Sequence, residues 1–150
     1  MKKVFALLLV PLLMSACIRV TTESEDVPKA EHKTDGVFIH ISKGAADTHT
    51  VLMALMLADK FSVSNDVLVF FDRQGVEMVA RNAPDLGMEP FDSSDDIFKR
   101  LLDRNVTILA CPACMEVAGL KAGDLREGVG VAEKEQFFDF TEGRILTLDY

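Results

Sequence analysis

The sequence predicts an α/β domain of three layers, a mainly parallel five-stranded sheet with helices on both faces. Three observations lead there. Short apolar runs suited to buried strands recur from residue 36 onward, helical stretches separate them, and Gly, Asp or Asn punctuates most joins. Strands that alternate with helices are joined by right-handed crossovers, which lay the strands parallel and side by side.

The elements follow in order. Residues 37–42 form an apolar run that suits a buried strand. Lys43 and Gly44 break it, and Asp47 can cap a helix running to about Phe61. The middle of that helix, residues 51–58, is apolar nearly all round, so it should be well buried. Met53 and Met56 read as core filling rather than a metal box. Residues 66–72 give a second strand, and Arg73-Gln74-Gly75 a turn. Residues 76–82 suit a short helix that Pro84 ends. Ser93-Ser94-Asp95-Asp96 matches a capping box, with Ile97, Leu101 and Leu102 on one helical face. Asn105 can close that helix in a left-handed conformation, and residues 106–110 run as a third strand directly into Cys111. Helix continues over 115–118 as far as Gly119, followed by a helical turn at 124–128 and a fourth strand at 129–131. A helix at 133–140 and a strand at 144–148 complete the domain.

The domain, residues 36–150, is preceded by two segments of another character. Lys2 and Lys3, an apolar run over 4–14, and Ser15-Ala16-Cys17 together describe a secretory signal, too short to be a comfortable membrane span. Met14-Ser15-Ala16-Cys17 resembles the bacterial lipobox, in which the cysteine is lipidated and becomes the first residue of the mature protein. Residues 1–17 are therefore read as a lipoprotein signal ending at Cys17. Several acyl chains on one residue would hold the protein to the membrane. Ile18 rather than Asp after the cysteine favours the periplasmic face of the outer over the inner membrane. Residues 18–35 are polar and mixed in charge, and as a random coil would reach about 24 Å. His32 in this tether reads as solvated.

The formal net charge is −8, and loss of Lys2 and Lys3 makes it two units more negative. Clustered Lys/Arg are missing from the domain, which speaks against nucleic acid as a partner. No phosphate loop, dinucleotide fingerprint or nucleophile elbow is present, and no cofactor is expected. With Cys17 assigned to lipid, the remaining cysteines, Cys111 and Cys114, form one C-x-x-C in a compartment that oxidises thiols.

In an open parallel sheet, ligands bind beyond the carboxyl ends of the strands. Three segments should meet there: Ser42-Lys43-Gly44, Asp72-Arg73-Gln74-Gly75, and Cys111. Cys111 falls at a helix N-cap with Pro112 at the first helical position, where the helix end and the second cysteine favour a thiolate. Lys43 or Arg73 can add positive charge. Such a thiolate attacks disulfides, accepts sulfane sulfur or binds a soft metal. Zinc would need more ligands than one C-x-x-C supplies, whereas copper(I) could use Cys111, Cys114 and Met115 or a histidine. A thiol–disulfide redox pair and an inert structural disulfide are the other readings. His40, inside the first strand, reads as a satisfied core residue; His49 can face either the active edge or solvent.

The first strand with Lys43-Gly44, the apolar first helix, Phe70-Phe71-Asp72 with Gly75-Val76, and a cysteine straight after the third strand together resemble the DsrE/DsrF-like sulfur-relay family. Cys111-Pro112-Ala113-Cys114-Met115 before Gly119-Leu120, and the closing Arg144-Ile145-Leu146-Thr147-Leu148, are similar to that family's cysteine segment and last strand. The resemblance covers residues 36–150. It implies a flavodoxin-like fold, homo-oligomers, and a persulfide on Cys111 exchanged with sulfur donor and acceptor proteins or small sulfane-sulfur species. Many members have a single cysteine here; in this chain Cys114 can act as resolving thiol.

Overall fold

Alternation along the first strand decides which side of the sheet becomes the core. The computed structural model describes residues 33–150, and in it β1 (Gly36–Ile41) turns Val37, Ile39 and Ile41 to one side and Phe38 and His40 to the other. Val37, Ile39 and Ile41 are sealed in the main apolar cluster, while Phe38 and His40 stay half-buried. The same split continues across β2 (Asp66–Phe71), where Val67, Val69 and Phe71 join the cluster and Phe70 does not.

All five strands are parallel, in the order β4-β3-β2-β1-β5, with β3 at Thr107–Ala110, β4 at Gly130–Val131 and β5 at Ile145–Asp149. Three steps in one direction, each right-handed, put their crossovers on one face; the long return from β4 to β5 must then cross on the other. The helices obey this. α1 (Thr48–Phe61) and α2 (Ser94–Asp103) pack on each other, with α1 against β1 and β2. The return crossover carries only α4 (Gln136–Asp139), whose Phe137 meets Phe38 and Phe70 edge-on at ring distances of 5.8 and 5.0 Å. Helices thus lie on both faces, but unequally.

Local chemistry sets the helix boundaries. The Asp47 carboxylate accepts the Thr50 amide at 3.3 Å and starts α1, which buries Val51, Leu52, Ala54, Leu55 and Ala58. Met53 and Met56 sit on its flanks, half-buried. Ser93 caps α2 through the Asp96 amide, and Asn105 (φ 58°) turns the chain out of it. The neighbouring Ser94 is wholly buried, its hydroxyl accepting from the Leu86 amide and donating to Asp85.

Three expected helices come out shorter or tighter. Residues 76–82 were expected as a helix; a 3-10 segment at Arg73–Val79 stands there instead, after which Ala80 bridges Leu125 antiparallel. That bridge also replaces the helical turn expected at 124–128, leaving a 3-10 turn at Ala122–Asp124 whose Asp124 carboxylate holds the Lys121 amide. The helix expected over 133–140 shrinks to α4, preceded by turns in which the Gln136 side chain accepts the Glu133 amide at 2.7 Å. The strand expectations hold to within about one residue at each end. Among the described residues, no helix is long and apolar enough to cross a membrane. The signal, Cys17, and the tether as far as His32 lie outside the described residues.

Candidate active site at the carboxyl edge of the sheet

Parallel strands bring their carboxyl ends to one edge, and backbone bonds tie those ends together. The Asp72 amide donates to Ile41, the Cys111 amide to Phe71 and the Ala132 amide to Ala110. The loops here approach more closely than side chains would allow. A Cβ on Gly75 would stand 2.3 Å from the Ile41 carbonyl oxygen, and one on Gly44 2.9 Å from that of Gln74. Gly44 therefore serves the edge by its lack of a side chain.

Cys111 is the N-cap of α3 (Pro112–Val117), with Pro112 opening the helix. Met115 anchors α3 from below, 4 % exposed within the core cluster, and Gly119 (φ 72°) ends it. Cys111 and Cys114 are both free and part-buried. Cys114 is hydrogen-bonded to the Cys111 side chain and to the Arg73 amide. The Arg73 amide favours the Cys114 thiolate, but burial, the Cys111 hydrogen bond and the negative charge of Asp72 outweigh it and push this thiol up from its ordinary pKa. Arg73 itself adopts a left-handed backbone (φ 44°), a costly conformation for a residue with a side chain.

Of the residues singled out in the sequence, Cys111, Cys114, Asp72 and the Arg73 backbone come together. The Arg73 side chain is exposed. Lys43 is exposed too, and its charge acts on Asp47. Met115, weighed as a soft-metal ligand, is committed to the core, and no group of three or more His, Cys, Asp or Glu among the described residues is arranged to hold a metal.

His40 corrects the sequence reading. It is not a core residue: its side chain, 25 % exposed, lies one residue before the end of β1 on the thinly covered face at this same edge. Nδ1 lies 2.7 Å from Asp149 Oδ1, and Nε2 lies 3.0 Å from Asp72 Oδ1. Phe70 stacks on the ring at 5.7 Å, and Phe38 at 6.5 Å. Two or more carboxylates around one imidazole is a signal no local spacing carries, because Asp149 is 109 residues away. His49 is exposed, with its ring 5.5 Å from that of Phe91.

β3 is left by α3 toward one face and β4 by α4 toward the other, so a crevice opens between their ends. A cavity of about 450 Å³ lies there, bounded by Pro112, Met115, Leu120 and Val131. A family model described as the DsrE/DsrF-like family matches residues 35–142, from before β1 to just short of β5. The chain belongs to the DsrE/DsrF-like family. Among solved structures, the ychN protein from E. coli is similar with a TM-score of 0.59 at 18 % identity, over 77 % of this chain and 100 % of that one. The MTH1491 protein from Methanobacterium thermoautotrophicum is similar with a TM-score of 0.56 at 16 % identity, over 77 % and 99 %. These likenesses establish the flavodoxin-like α/β fold. The comparison with curated proteins returned no match. In this DsrE/DsrF-like domain the cysteine segment sits at the junction of β3 and α3, inside the matched region.

Proposed function

We propose that this chain is a sulfur-relay protein that carries sulfane sulfur as a persulfide on Cys111, with Cys114 as the resolving thiol. The observation that carries the reading is the pair of free, part-buried cysteines set three residues apart where β3 meets α3. Family membership supports the same chemistry at the level of sulfur relay.

The Cys111 thiolate attacks the terminal sulfur of a donor persulfide; the donor S–S bond breaks, the donor thiolate leaves, and Cys111 gains one sulfur. An acceptor thiolate then attacks that outer sulfur and restores Cys111. Donors and acceptors are sulfur-handling proteins or small sulfane-sulfur species. Treatment with inorganic polysulfide should add the mass of one sulfur atom to the peptide holding Cys111, with the largest yield in Cys114→Ser. An adduct of equal yield on that peptide in Cys111→Ser overturns the reading.

The second part of the proposal is the location. Lipid on Cys17 holds the domain, through the 18–35 tether, at the periplasmic face of the outer or inner membrane. In a Gram-negative host the chain should incorporate labelled fatty acid and fractionate with membranes, and Cys17→Ser should abolish both. Unlabelled wild-type protein would remove the anchor from the proposal.

A further inference from the structure

The sulfur chemistry above leaves one question of proton transfer open. Cys114 must lose its proton before it can attack Cys111, and its surroundings hold that proton on. Beyond Asp72 stands His40, and beyond His40 stands Asp149, whose side chain is 72 % exposed. A carboxylate accepts hydrogen bonds only, so the 2.7 Å contact with Asp149 requires His40 to carry its proton on Nδ1. In its neutral form the ring then turns its Nε2 lone pair toward Asp72. Nε2 and Asp72 Oδ1 are both buried and 3.0 Å apart, and neither has another partner among the described residues. A proton delivered to Nε2 would be held by both. Imidazole is also far better matched to a thiol as proton acceptor than a carboxylate is.

We propose that His40, working through Asp72 and oriented by Asp149, accepts the Cys114 proton when that thiol closes onto Cys111. His40 is a positioning and relay residue, since it touches neither sulfur. The step balances without an outside oxidant. Cys114 sulfur attacks the inner sulfur of the Cys111 persulfide, the disulfide forms, the bond to the outer sulfur breaks, and hydrosulfide leaves. The two cysteine sulfurs end as a disulfide and the outer sulfur is reduced to sulfide. The Cys114 proton reaches His40 by way of Asp72 and is returned to the departing hydrosulfide.

The ionisable groups facing this line are Cys111 and Cys114 from the β3–α3 junction, Asp72 from the end of β2, and Asp149 from β5. The Arg73 side chain is exposed at the same turn, and Tyr150 packs against the core cluster. α4 contributes the Phe137 ring, with no charge, against Phe38 and Phe70.

The inference rests on the persulfide reading for its substrate, but its test does not. Cys111 is loaded with a thionitrobenzoate mixed disulfide, and closure by Cys114 is followed by quenching and peptide mass, which keeps Cys17 out of the signal. In the wild type the closure rate should level off with rising pH, as expected when a positioned general base takes the thiol proton. In His40→Asn it should fall at least about tenfold at neutral pH and keep rising with alkalinity, as expected when a general base is lost. Asp149→Asn, altered at an exposed site, should shift the profile in the same direction by less. Superimposable profiles for wild type and His40→Asn overturn the relay, as does a uniform loss with the shape unchanged. Failure of the polysulfide adduct in Cys114→Ser would instead remove the sulfur carrier and leave the relay to be judged on closure alone.

Discussion

The two faces of one sheet differ more than any two elements of this chain. On the α1/α2 side, Ile39, Ile41, Val69 and Phe71 are fully sealed under Leu52, Leu55, Ile97 and Leu101. On the α4 side, Leu68 is sealed as well, but Phe38, His40 and Phe70 of the same strands stay half-buried beneath a helix of four residues. The difference teaches a division of labour: one face supplies the hydrophobic stability of the fold, and the other leaves room for an imidazole between two carboxylates at the active edge.

Core truncation should therefore separate the faces most clearly. Leu55→Ala should cost about 3 kcal/mol by denaturant unfolding, because it removes buried methyl groups and leaves a cavity. Phe38→Ala should cost about half of that or less, and equal losses would erase the distinction. Gly75→Ala should come next, at about 2 kcal/mol, since its Cβ must displace the Ile41 carbonyl at the junction of β1 and the active edge. It should slow Cys114 closure as well, a loss that Leu55→Ala would not show in the molecules that remain folded. Ser93→Ala should cost about 1 kcal/mol through loss of the α2 cap.

The smallest expected effect is electrostatic. Burial works against ionisation of Asp59, but hydrogen bonds from Arg100 and Arg104 outweigh it and hold the carboxyl below its ordinary value. A depressed folded-state pKa contributes stability above the unfolded value, and that contribution is lost as pH falls through the folded one. Asp59→Asn should flatten the acid limb of the stability curve and leave the α4 face and its closure rate unaffected. An unchanged acid limb would show that this α1–α2 network is spectator charge.

Much of the frame was legible from local chemistry. The strands stood out as β-branched and aromatic runs, Asp47 and Ser93 announced their helices, and Cys111-Pro112 marked a strand passing into a helix N-cap. What local reading missed were segments governed by distant partners. Leu125 leaves the helical pattern to bridge Ala80, 45 residues earlier.

The amino-acid sequence by itself determined the βα alternation, the family resemblance and the position of Cys111 and Cys114 at a strand end, because period, capping and turn chemistry act over a few residues. His40 needed the tertiary structure. An imidazole inside an apolar run reads as core until the return crossover from β4 is known to carry only a short helix. The pairing of β5 with β1 then brings Asp149 to Nδ1, and the loop after β2 brings Asp72 to Nε2. Long-range strand order, set by which face each crossover takes, decided that the edge carrying the thiols also carries an imidazole flanked by carboxylates.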